Sequence, residues 1–165
     1  MTVFEKFASR LSDLGGIAAG VILVYVTTHI MTEIVLRSCF SSTTYTLDEF
    51  VSYSMLGMTF LTMGYALKGS AMIRVNLLVG RLRGRTRQVV EVFSVLATLA
   101  VVLFLFAYFC RTIFLRDLAR GAVSESIART PMWIPEGMVF LGLVILIAQL
   151  IAYLIHVVRG GEPLG

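Results

Sequence analysis

The side chains best suited to chemistry in this 165-residue sequence are two histidines, two cysteines and a few carboxylates near apolar runs. His29 and His156 suggest an axial haem pair, which needs both histidines at one depth on facing helices. With the spans assigned below, His29 lies about 15 residues from the inner end of its helix and His156 lies near the inner end of another. At 1.5 Å per residue the two differ in depth by roughly 20 Å, so they cannot share one iron. Cys39 and Cys110 have no CxxC or Cys/His spacing that would hold zinc or an iron–sulfur cluster, and free thiols are expected. No metal triad, Ser/His pair or paired catalytic carboxylates can be assembled from the remaining residues. The chain is therefore expected to be no enzyme and to carry no cofactor.

The carboxylates suggest structure more than reaction. Glu33 precedes Arg37 by four residues, the favourable order for a helical ion pair, and an interfacial pair is expected there. An intramembrane acid also raises the alternative of a proton or cation site. Thr46-Leu47-Asp48-Glu49 fits a capping box, in which Thr46 accepts from the Glu49 amide and the Glu49 side chain reaches back. Two acids also suit the positive end of a helix dipole, while contact with a partner or ion at the membrane surface is the other role open to Asp48 and Glu49. Gln149 is the one strongly polar side chain well inside an apolar run.

The elements that must position these residues follow from composition. The sequence is 58% hydrophobic and only 15% charged, so lipid is its solvent. Four runs, 14–36, 50–67, 92–110 and 137–158, are long enough to cross a hydrocarbon core of about 30 Å as helices. Backbone polar groups cannot remain unpaired there, and the runs lack the alternation of barrel strands. The expected fold is all-α, a single polytopic membrane domain over 1–165. The apolar run after Asp13 exceeds a signal-peptide core and is read as a retained span.

With the N-terminus inside, the inner segments carry nine Lys and Arg and the outer loops carry five, so both termini are expected in the cytoplasm. The net charge of +4 clusters beside the spans, which points to phospholipid headgroups and away from nucleic acid. Between the second and third spans, residues 71–82 place Met72, Val75, Leu78, Val79 and Leu82 at helical spacing among arginines. A short amphipathic helix in the inner headgroup layer is expected there.

Small residues mark close packing. Gly16 and Gly20 form a GxxxG element in the first span, and Gly57 and Gly64 lie seven apart on one face of the second. The second span also carries Ser52, Ser54, Met55, Met58, Thr59, Thr62 and Met63, a polar and adaptable face that lipid does not require. Trp133 suits the headgroup region and Pro135 the first turn of the fourth helix.

Three motifs resemble a known family, the small four-helix membrane subunit (Q type, DctQ-like) of tripartite ATP-independent periplasmic (TRAP) transporters. Arg37, a short outer loop and Leu47-Asp48-Glu49-Phe50 look like that family's arginine and paired acids. Tyr65-Ala66-Leu67-Lys68-Gly69-Ser70-Ala71-Met72-Ile73-Arg74-Val75-Asn76 is similar to its Ala- and Gly-rich exit to His-Ile-Arg-Val-Asp, with Met72 standing for the histidine and Asn76 for the aspartate. Ser126-Ile127-Ala128-Arg129-Thr130-Pro131-Met132-Trp133-Ile134-Pro135 resembles its approach to the last helix.

The resemblance implies a multi-pass subunit of the bacterial inner membrane that acts as a scaffold. Its implied partners are a large multispanning subunit, which carries substrate and sodium sites, and a periplasmic binding protein that delivers an organic acid. Arg37, Asp48, Glu49, Gly57, Gly64, Arg74, Asn76 and Trp133 are the candidate partner or lipid contacts. The alternatives are a small transporter assembled from identical chains and, behind it, a membrane enzyme or electron carrier.

Overall fold

The computed structural model describes residues 3–69 and 85–159. They form four long helices: α1 (Val3–Phe40), α2 (Leu47–Lys68), α3 (Arg85–Phe109) and α4 (Trp133–Val158). All four expected spans are present, each on a helix long and apolar enough to cross a membrane. The predicted interfacial helix 71–82, with Arg74 and Asn76, lies outside the described residues.

Two helices run well past their apolar cores. α1 holds 38 residues, about 57 Å at 1.5 Å per residue, so it tilts or projects beyond a core of about 30 Å. No proline interrupts it, and the eleven residues before Leu14 continue the helix into a charged stretch. α3 passes through a π turn at Cys110–Phe114 and continues as Leu115–Arg120. The extra residue of that turn moves Phe114 into the place the following α-turn would have given Ile113. Phe114 stacks on Phe140 at 5.1 Å, and Phe106 meets the same ring at 5.4 Å, so the turn clamps α3 to α4. Gly121, at φ 60°, ends the continuation in the left-handed conformation that suits glycine.

α4 is the hub: α1, α2 and α3 all pack on it, and α1 packs on α2. Its Val139, Leu143, Leu146, Leu150, Tyr153 and Val157 are buried at alternating spacings of four and three, the rhythm that lets one helix seat its side chains between those of a neighbour. α3 answers with Val95 and Val102, flanked by half-buried Val92, Leu99, Phe106 and Phe109. On α1 and α2 the buried stripe is small: Ala8, Ser12, Gly15 and Ala19 on one, Ser54, Gly57, Leu61 and Gly64 on the other. Backbones therefore come close, which is how helices associate where lipid supplies no hydrophobic drive.

The glycines of α2 match the expectation, and those of α1 match it at Gly16 but not at Gly20. A Cβ on Gly57 would stand 2.5 Å from Met138 Sδ, and one on Gly64 would stand 2.6 Å from Ile145 Cγ2. On α1 a Cβ on Gly15 would stand 2.7 Å from the Leu61 carbonyl oxygen and one on Gly16 would stand 3.1 Å from the Tyr65 ring, whereas Gly20 has nothing within 4 Å. Of the Gly16/Gly20 element, Gly16 therefore faces α2 and Gly20 is left open. Cys39 and Cys110 are both free, as expected.

Candidate partner interface

At the turn end of the α1–α2 hairpin, Glu33 is buried to 1% exposure, deeper than the interfacial pair expected from sequence. The ion pair itself is present, with Arg37 Nε donating to Glu33 Oε1 at 2.9 Å. What the spacing did not disclose is that the turn joining the helices folds back onto the same carboxylate. Thr43 Oγ1 donates to Oε1, while the Thr44 amide donates to Oε2 at 3.1 Å and Thr44 Oγ1 at 2.7 Å. Four donors on two oxygens make Glu33 the anchor of this turn and leave the arginine largely exposed.

The capping box is absent. Thr46 occupies the N-cap without a side-chain bond, and the Glu49 carboxylate accepts instead from Ser126 Oγ in the α3–α4 connection. That connection is closed on itself by an isolated Val123–Pro131 bridge and by the Ser124 amide donating to Thr130 O at 2.9 Å. Tyr53 also reaches it, its hydroxyl lying 3.6 Å from Met132 Sδ. Glu49 therefore ties the first turn of α2 to the α3–α4 connection, whereas Asp48 is exposed beside it. Trp133 opens α4 with about half its surface exposed, and Pro135 is buried in the first turn as expected.

At the opposite end Lys68 Nζ pairs with both oxygens of Asp13, at 2.6 and 2.7 Å. Ser12 donates to Gln149 Oε1 at 3.1 Å, and the Tyr153 hydroxyl donates to Glu91. The polar groups of α4 are thus tied to α1 and α3. Nothing in local periodicity signals these pairings, because the partners lie 62 and 137 residues apart. His29 lies between Tyr25 and Phe50, tilted against both rings at 5.9 and 6.0 Å, whereas His156 lines a cleft with Lys68 and Gln149 toward the other end of the bundle, so the two imidazoles face different surroundings.

The expected polar face of α2 is self-satisfied. Ser52, Thr59 and Thr62 each donate to the carbonyl four residues back, at 2.7 Å, and so reach lipid depth with their hydrogen bonds closed. What remains of that face is shape. Between α1 and α2 runs an open groove of about 710 Å³, walled on one side by Gly16, Ile17 and Gly20 and on the other by Met58, Thr59 and Tyr65. Asp13, whose side chain is 43% exposed despite its lysine, stands at the Lys68 end of the groove.

Of the candidate contacts, Arg37, Asp48 and Trp133 present exposed side chains, and Glu49 turns to the α3–α4 connection. Gly57 and Gly64 serve packing within the chain. Arg74 and Asn76 fall outside the described residues. A family model described as "Tripartite ATP-independent periplasmic transporters, DctQ component" matches residues 26–160. No curated protein and no solved structure matches the chain.

Proposed function

The chain belongs to the DctQ component family of the tripartite ATP-independent periplasmic transporters, and on that premise we propose that it is a non-catalytic scaffold in the bacterial inner membrane. It holds a large multispanning subunit in place, and that subunit moves an organic acid, delivered by a periplasmic binding protein, with sodium as the coupling ion. Both termini lie in the cytoplasm, on the arginine count.

The observation that carries this reading is the groove between α1 and α2. Glycine inside a helix costs about 1 kcal/mol relative to alanine, and Gly20 has no neighbour within the chain to justify it. An acyl chain gains little from a missing Cβ, because it deforms around side chains. A helix backbone gains a close approach. The groove's charge agrees with such a partner. Asp13 lies at the end of the bundle assigned nine of the fourteen Lys and Arg, the end at which a partner's spans also carry their lysines and arginines. A transmembrane helix of the large subunit, with a basic residue at its inner end, is the occupant.

Gly20→Leu tests this directly. The isolated chain should unfold no earlier than the wild type, because the new Cβ has nothing within 4 Å and leucine favours a helix over glycine, while the large subunit recovered by co-purification should fall about tenfold, the equivalent of one lost close-packed contact. Normal recovery with an undisturbed fold would place the partner elsewhere. Arg74 is proposed to pair with lipid phosphate or a partner carboxylate. Arg74→Ala should accordingly impair assembly clearly more than Arg85→Ala, with both variants inserted normally. Equal and negligible effects would reduce the basic stretch to a topology signal.

A further inference from the structure

The continuation of α3, Leu115–Arg120, and the first turn of α4 bring two acids together, Asp117 and Glu136. Their carboxyl groups lie within hydrogen-bonding reach of one another, outside the apolar runs 92–110 and 137–158. We propose that Glu136 and Asp117 share one proton, and that this carboxyl–carboxylate pair is a pH-sensitive latch between the continuation of α3 and the start of α4, independent of the groove between α1 and α2.

The contact lacks a hydrogen unless one acid is protonated. Glu136 is 6% exposed, and its Oε2 is enclosed without a hydrogen-bond partner among the described residues. Ionised carboxylates only accept, so two of them side by side have no donor between them. Asp117 is already engaged as an anion: Arg116 Nε donates to its Oδ1 at 2.7 Å, and Nη2 reaches Oδ2 at 3.4 Å. That hydrogen bond holds Asp117 below the ordinary carboxylate range, whereas burial first, and the Asp117 charge second, raise Glu136 above it. The proton therefore resides on Glu136, which donates to Asp117. Arg120 adds a weaker positive charge on the same side as Arg116. Of the elements packed alongside, α2 presents Glu49 and Tyr53, engaged with Ser126 and Met132, and the π turn presents Cys110, a free thiol, and exposed Arg111.

The pair sits where both ends of the α3–α4 connection close. The Ala122 amide donates to Asp117 O at 3.0 Å, the Met132 amide donates to Ala122 O at 3.0 Å, and the Glu136 amide donates to Met132 O at 3.2 Å. Loss of the shared proton leaves two like charges at this junction, one of them buried, and loosens the connection that Glu49 grips through Ser126. The folded chain keeps a proton at a pH where an unfolded glutamate has lost it. Stability is therefore greatest near the ordinary carboxylate range and falls as pH rises through the raised value of Glu136.

The test uses the purified full chain in a non-ionic detergent, with thermal unfolding followed from about pH 5 to about pH 9. The wild-type unfolding temperature should fall by about 3 °C or more over that range. Glu136→Gln puts an amide donor where the protonated acid stood, so its unfolding temperature should stay level. Glu125→Gln, at an exposed acid of the same connection, should keep the wild-type fall. Infrared spectra of the wild-type chain with isotope-labelled glutamate should show, at neutral pH, the carbonyl stretch of a protonated carboxylic acid, and Glu136→Gln should lack it. A level wild-type profile, absence of that band at neutral pH, a well-folded Glu136→Gln variant that keeps the fall, or equal flattening by Glu125→Gln would overturn the proposal.

Discussion

Replacing Gly142 with alanine is expected to cost about 3 kcal/mol or more, one of the largest losses available to a single methyl group in this chain. The added Cβ would stand 2.5 Å from the carbonyl carbon of Phe60, 2.6 Å from its oxygen and 2.7 Å from its Cβ. These atoms belong mostly to the α2 backbone, which cannot rotate aside as a flexible side chain does. The helices must separate, and the contact between α2 and α4 loosens along its length. Gly137 lies five residues earlier on the same helix and has nothing within 4 Å. Gly137→Ala should therefore be neutral or slightly stabilising, since alanine favours a helix by about 1 kcal/mol. Thermal unfolding of both variants in one detergent checks the pair. Similar unfolding temperatures for the two would show that α2 and α4 do not approach as closely as described.

Glu33→Gln is expected to lower the unfolding temperature by several degrees, more than any one of Arg37→Gln, Thr43→Val or Thr44→Val. The carboxylate accepts from Arg37, Thr43 and both donors of Thr44, and all four bonds require oxygen. Glutamine preserves the shape but points an amide nitrogen at two of those donors, leaving buried groups facing like groups. Each donor substitution removes one bond and leaves the anion with the others. The link between α1 and α2 should also become accessible to proteinase K in the Glu33→Gln variant. A variant that unfolds with the wild type and keeps this link protected would remove Glu33 as the anchor. A proton or cation site would require the carboxylate to release the donors that hold the turn.

Span number, helix type and family membership were legible in the residues because each rests on properties that add along the chain. Apolar runs of bilayer length need no knowledge of their neighbours, and the motifs around Arg37, Asp48 and Trp133 are contiguous. The boundaries were less legible. A hydropathy reading ends where charges begin, whereas the hydrogen-bonded helices α1 and α3 continue through charged residues into the headgroup layers.

The side-chain assignments divide along the same line. Glu33 with Arg37 is a local pair, four residues apart, and its presence was predictable; its burial depended on Thr43 and Thr44 returning from the turn. Thr46 and Glu49 have the spacing of a capping box, but Ser126, 77 residues away, offers Glu49 a hydroxyl and takes it from the helix end. Sequence alone determined that this chain crosses a membrane as four helices and carries small residues for close packing. Tertiary structure decided that Gly15 sits deepest against α2, with Gly16 beside Tyr65 and Gly20 left open, since only a neighbouring helix determines which direction around α1 is inside.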